Sequence, residues 1–259
     1  MDMRIFPGPL AGSIEAVASK SEAHRLLICA ALADGVTDID CNTTSQDIDA
    51  TAACMRALGA RVTRTKKGFR VVPVPAGSPE RGALLDCGES GSTLRFLLPV
   101  VAALGCDASL TGHGRLPERP LSPLYEELVA HGALLGPQGN MPLAVRGKLE
   151  SGRYAIAGNV SSQYVSGLLL AAPLMDGGCE VLVTEPIESL PYIDITVAAL
   201  AQFGVQVTRE KFDDGERRGL LFRVPPASRL HTPGQVRVGG DWSNAAFWLF
   251  ACDIHGNRI

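Results

Sequence analysis

The sequence predicts an α/β domain with threefold pseudo-symmetry, from two series of glycines and from the helices that lie between them. The strings "MRALGARV", "LVAHGALL" and "LAQFGVQV" each place a helix-ending glycine, at Gly59, Gly132 and Gly204, 73 and 72 residues apart. "AALADG", "VAALG" and "APLMDG" do the same at Gly35, Gly105 and Gly177, 70 and 72 residues apart. A fixed period of this kind is the mark of a repeated supersecondary unit. Each glycine follows an apolar helical pattern and precedes a β-branched or alternating stretch, as expected of a left-handed helix cap handing over to a strand. Every unit therefore reads helix, strand, helix, strand pair.

Within each unit the first helix is apolar almost all round, as in "LLICAALA", "LRFLLPVVAAL" and "VSGLLLAAPLM". Helices of that kind are buried rather than amphipathic. The second helix, for example "LYEELVAHG", has one polar face and belongs outside. Three inner helices with outer strands and helices follow from the pattern.

The inner helices begin at one position of the repeat. "SKSEAHR" at 19–25 aligns with "ESGSTLR" at 89–95, and "SSQYVSG" at 161–167 aligns with the second. All three starts are rich in Ser, Thr or Gly. A serine at a single helix start is by itself only an N-cap. Three such starts brought together by pseudo-symmetry put three sets of free N–H groups and three positive dipole ends on one face. Lys20, Arg25 and Arg95 add full charges there. The face is suited to a small polyanion, a phosphate together with a carboxylate.

Composition removes other classes. The chain has 259 residues, 46% hydrophobic and 20% charged, which is globular and large enough for a sizeable core. A formal net charge of -3 offers no bulk field for nucleic acid or a membrane surface. The start, "MDMRIFPGPLAGSIEAV", lacks the apolar stretch of a signal peptide, and no run reaches the ~18 apolar residues of a membrane span. Seven cysteines with no CxxC pair read as reduced thiols in a cytoplasmic protein. The five histidines show no HxxxH pair or cysteine at ligand spacing, so no metal is expected. No GxxxxGK[ST] or GxGxxG motif supports a nucleotide.

The strings "SKSEAHRLLICAAL", "CGESGSTLRF", "GRLPERP", "GNVSSQYVSGLLLAAPL", "LPYIDIT" and "GDWSNAAF" occur in an order and spacing that resembles the 5-enolpyruvylshikimate-3-phosphate synthases. The resemblance implies the enolpyruvyl transferase fold, in which each of two domains holds three βαβαββ-like units around buried parallel helices. It divides the chain into an N-terminal strand segment near the domain crossover at 1–18, a shikimate 3-phosphate-binding domain at 19–238, and the crossover with the start of a second domain at 239–259. It also implies transfer of the carboxyvinyl group of phosphoenolpyruvate to the 5-hydroxyl of shikimate 3-phosphate, with no cofactor and as a monomer.

Residue roles come from the same resemblance. Lys20 touches both substrates and takes part in proton transfer. Ser21 and Arg25 hold the shikimate carboxylate, for which a guanidinium fork is suited. Ser161, Ser162 and Ser189 surround the 3-phosphate, and Gln163 and Tyr192 flank the ring. Gly91 and Arg119, with Lys20 and Gln163, contact phosphoenolpyruvate. Arg95 matches an arginine near the same helix end, with an ion pair to Asp241 as the alternative.

Two departures stand out. Glu89 occupies a position where many members have Asn, and the chain stops at Ile259, where the family begins its second domain. The family's catalytic aspartate, second lysine and two phosphoenolpyruvate arginines have no counterpart here. A fragment that supplies the shikimate 3-phosphate half-site is therefore expected, inactive by itself. The alternatives are a noncatalytic anion-binding module and a UDP-N-acetylglucosamine enolpyruvyl transferase. Against the latter, "TGHGRLPERP" contains no cysteine and Ser21, not Asn, follows Lys20.

Overall fold

The computed structural model describes residue 4 and residues 11–75 and 78–255. The first unit runs α1 (Lys20–Leu32), β1 (Thr37–Asp40), α2 (Gln46–Ala57), β2 (Arg61–Arg64), β3 (Gly68–Val72). The second runs β4 (Ala83–Asp86), α3 (Gly91–Leu104), β5 (Ala108–Thr111), α4 (Leu124–Ala130), β6 (Ala133–Leu135), β7 (Leu143–Gly147). The third repeats it as β8 (Gly152–Ala157), α5 (Ser162–Ala171), β9 (Cys179–Thr184), α6 (Leu190–Gln202), β10 (Thr208–Asp213), β11 (Arg218–Val224). Each unit owns one four-stranded sheet, ordered β4-β5-β7-β6 in the second and β8-β9-β11-β10 in the third.

In that series the first unit lacks its leading strand. A late strand, β12 (Gln235–Arg237), supplies it by pairing parallel to β1 with Ile39 opposite Val236, which gives the order β12-β1-β3-β2. The chain thus closes its threefold arrangement by returning to its beginning. Of the expected N-terminal segment at 1–18, residues 1–3 and 5–10 lie outside the described residues. Ala18 makes an isolated antiparallel bridge to Gly240, flanked by bonds from Ser19 N to Gly239 O at 2.8 Å and from Asp241 N to Val17 O at 2.8 Å.

The inner helices are α1, α3 and α5. Buried residues run without a break from Ala23 to Ala31 in α1 and from Tyr164 to Ala171 in α5, whereas α4 buries only Leu124 and Leu128. Close packing of α3 on α5 rests on two residues. Pro99 lacks the N–H that would bond the Arg95 carbonyl. Gly167 of α5 lies against that carbonyl, so near that a Cβ on it would stand 2.4 Å from Arg95 O.

Gly59, Gly132 and Gly204 have φ of +106°, +95° and +81°, the left-handed caps the first glycine series predicts. The second series behaves this way only at Gly105, with φ +63°. Helix α1 ends on an extended Ala33, and α5 runs through a 3-10 turn at Ala172–Leu174, leaving Gly178 as the left-handed residue. Gly35 and Gly177 are instead sites of close approach, where a Cβ would lie 2.6 Å from Thr232 Cγ2 and 2.7 Å from Ser151 Cβ.

The last element, α7 (Trp242–His255), leaves Trp242, Phe247, Leu249 and Phe250 exposed. Among the described residues no helix is long and apolar enough to cross a membrane.

Candidate active site

The inner helices start on serine caps. Ser19 Oγ accepts from Glu22 N at 3.4 Å, Ser90 Oγ from Thr93 N at 3.2 Å, and Ser161 Oγ from Gln163 N at 3.3 Å. Serines 19, 90 and 161 stand 71 residues apart, so the true alignment of the second start is one residue later than the string comparison places it. The remaining N–H groups of each first turn keep their partial positive charge.

These amino ends converge. A cavity of about 440 Å³ is lined by Lys20, Ser21 and Arg25 of α1, Ser92 and Phe96 of α3, Val160 to Gln163 at the start of α5, and Ser189 and Tyr192 at the start of α6. All eight residues assigned to shikimate 3-phosphate by resemblance are in that lining. It contains two cationic side chains, five serine hydroxyls from three helix starts and the α6 cap, and no carboxylate. Ser189 is held at φ 56° and ψ 31°, a conformation rare for a residue with a side chain, and its hydroxyl makes no cap bond. It is left free to face the cavity.

Gly91 and Arg119 are together but beside this lining. A Cβ on Gly91 would stand 2.6 Å from Arg119 Nη1, so glycine lets the guanidinium lie against the α3 amino end as it does here. Gln163 joins the two parts: its Nε2 donates to Ser92 Oγ at 2.9 Å and its Oε1 accepts from Arg95 Nη1 at 2.8 Å. Arg95 Nη2 continues to Pro120 O at 3.1 Å, next to Arg119. Arg95 does not pair with Asp241, which instead caps α7 by accepting from Ser243 N at 2.8 Å and Asn244 N at 3.1 Å. Glu89 is exposed and covers Gly114, where a Cβ would overlap its carboxylate.

Lys20 Nζ meets Asp47 Oδ2 at 2.8 Å, with the two side chains 50% and 31% exposed. Asp47 is in the first turn of α2, 27 residues away, and sequence reasoning had no signal for it. Arg25 is only 2% exposed, and burial draws its pKa down to about 10, which still leaves it cationic at neutral pH. Ser92, two residues after the Ser90 cap, was visible in "ESGSTLR" as a hydroxyl at a helix start.

Comparison with known proteins decides the family. A family profile described as EPSP synthase (3-phosphoshikimate 1-carboxyvinyltransferase) matches residues 6–259. The chain belongs to the EPSP synthase family. A relative named 3-phosphoshikimate 1-carboxyvinyltransferase from Clostridium beijerinckii is 35% identical over 265 residues, covering 100% of this chain and 59% of that protein. One of the same name from Clostridium kluyveri is 37% identical over 248 residues, covering 95% of this chain and 56% of that protein. A solved EPSP synthase from Acinetobacter baumannii superposes with a TM-score of 0.77 at 25% identity, over 95% of this chain and 54% of that one. The chain therefore spans 59% and 56% of those two Clostridium relatives. Its three-unit architecture is that of the enolpyruvyl transferase fold.

Proposed function

We propose that this chain supplies the shikimate 3-phosphate side of an EPSP synthase active site, in which the carboxyvinyl group of phosphoenolpyruvate passes to the 5-hydroxyl of shikimate 3-phosphate and phosphate is released. The observation that carries this reading is the convergence of all eight residues on one cavity that has helix amino ends and cations but no carboxylate. Such a lining attracts a polyanion and does not repel it.

Ser161, Ser162 and Ser189 offer hydroxyl donors for a phosphate, and Ser21 with Arg25 offers donors for a carboxylate. Gln163, shared with Ser92 and Arg95, stands where the second substrate meets the first, with Gly91 and Arg119 beyond it. The reaction adds a proton to the methylene carbon of phosphoenolpyruvate while the 5-hydroxyl gives up its proton to a base and its oxygen bonds to C2. Loss of phosphate and of a methyl proton from the tetrahedral intermediate then restores the vinyl group. Positioned acid and base groups contribute about 10²–10⁴-fold each. Lys20, at the rim, is the titratable side chain of the lining suited to carry a proton.

With no carboxylate base in the lining, the 259-residue chain binds shikimate 3-phosphate without forming product. Titration calorimetry with shikimate 3-phosphate, followed by a phosphate-release assay with both substrates, tests this. Lys20→Met weakens binding by about tenfold or more, the effect of losing a charged hydrogen bond of roughly 1.5–3 kcal/mol. Folding stability moves by no more than about 1 kcal/mol, since the Lys20–Asp47 pair is half exposed. Absence of binding to the wild-type chain, or product from it, would overturn the reading.

A further inference from the structure

Arg25 has little hydrogen-bonding capacity left for a ligand. An arginine carries five N–H donors in a fixed plane. Nε donates to Thr196 Oγ1 at 2.6 Å, one Nη1 N–H donates to the Ser21 carbonyl at 2.5 Å, and Nη2 donates to Ser166 Oγ and to the Tyr192 carbonyl, each at 3.0 Å. The guanidinium carbon lies 4.6 Å from the centre of the Phe96 ring. One Nη1 N–H remains, in a side chain that borders the cavity. A two-pronged fork toward a carboxylate would require both Nη atoms, or Nε and Nη2, and those are occupied.

The two hydroxyls that hold the plane are themselves joined, since Thr196 Oγ1 and Ser166 Oγ are 2.7 Å apart. Both are fully buried, Ser166 on α5 and Thr196 one turn after Tyr192 on α6. Neither lines the cavity. Their acceptor oxygens have a geometric consequence, because any rotation that turned Nη2 toward the cavity would leave buried N–H groups without partners. An unmet buried donor costs on the order of the hydrogen bond itself, more when it is charged.

We propose that Ser166 and Thr196 are positioning residues, which hold the Arg25 guanidinium so that a single Nη1 N–H meets the substrate carboxylate and leaves its second oxygen to Ser21. This rests on the reading of the cavity as a shikimate 3-phosphate site. It predicts that the carboxylate part of recognition depends on side chains that never touch the ligand. It also predicts that the part belonging to the phosphate, at Ser161, Ser162 and Ser189, does not.

The test is a set of calorimetric titrations of the full 259-residue chain with shikimate 3-phosphate and with its carboxylate methyl ester. Thr196→Val keeps the volume and removes the acceptor. It is expected to weaken shikimate 3-phosphate about tenfold and the ester less than twofold, while Thr196→Ser restores the wild-type ratio. Should Thr196→Val not fold, Ser166→Ala is measured in its place with the same expectation. Equal losses for the two ligands would show a merely structural role and overturn the proposal while leaving the site intact. Failure of the wild-type chain to bind shikimate 3-phosphate would overturn the reading of the site and the proposal with it.

Discussion

Adjacent positions on α1 bury His24 and Arg25 and treat their charges in opposite ways. Burial lowers both pKa values, but a guanidinium starts so high that Arg25, at about 10, keeps its proton at neutral pH, with four protein acceptors around it. His24 has one partner, Thr51 Oγ1 at 2.7 Å from Nδ1, while its Nε2 is buried without any. Burial lowers its pKa to about 4, with Asp47 pulling upward and Arg25 and Lys20 pushing down. The folded pKa lies below the unfolded value of 6.5, so as pH falls the unfolded chain takes up the proton first and folding loses free energy. The contribution is whole above pH 6.5 and declines between 6.5 and about 4. At 1.36 kcal/mol per pKa unit the loss at pH 4.5 is roughly 2–3 kcal/mol. The carboxylates whose pKa values hydrogen bonds lower, such as Asp34 and Glu180, begin to act only below their unfolded values of 3.8 and 4.5. Thermal unfolding of wild type and His24→Gln from pH 7 to 4.5 separates these effects: the variant's curve is flatter, and two parallel curves would refute the assignment.

At the scale of elements, the contact of α3 with α5 depends on a missing hydrogen bond and a missing side chain, at Pro99 and Gly167. Gly167→Val forces two methyl groups and a Cβ toward Arg95 O and Pro99 Cγ, which a bare Cβ would already approach to 2.4 and 3.1 Å. Overpacking of this kind costs roughly 1–3 kcal/mol. Denaturant unfolding should show the midpoint falling with little change in slope, and an unaltered midpoint would contradict the packing described. The inner helices were legible because a helix apolar on all sides has nowhere else to go. The left-handed caps at Gly59, Gly132 and Gly204 were legible because φ above zero selects glycine. Gly35 and Gly177 resemble them in sequence, but their glycine serves a neighbour, Thr232 or Ser151, that no local pattern reveals. Strand β12 was hidden for a related reason. It is three residues long and its partner, β1, is nearly 200 residues away.

For the whole molecule, pseudo-symmetry turns three ordinary serine caps into a site, because it carries their free N–H groups to one place. The hydroxyl-rich starts could be read from the sequence, and the residues assigned by resemblance to shikimate 3-phosphate all reach the cavity. What could not be read is the set of side chains that hold the others. Asp47 against Lys20, and Ser166 and Thr196 around Arg25, come from elements 27, 141 and 171 residues away in the chain. Serine and threonine within apolar helices give no sign of a partner at that separation. A comparable distance in sequence separates Arg95 from Asp241, and there the alternative of an ion pair does not form: Asp241 caps helix α7 instead.

The central claim is that the four helix amino ends and the cations between them orient one small polyanion, a phosphate with a carboxylate, in the cavity. A crystal structure of the 259-residue chain grown with shikimate 3-phosphate tests it directly. The account predicts the phosphate against Ser161, Ser162 and Ser189, and the carboxylate against Ser21 and one Nη1 N–H of Arg25. The reversed orientation, or a ligand bound outside the cavity, would contradict it.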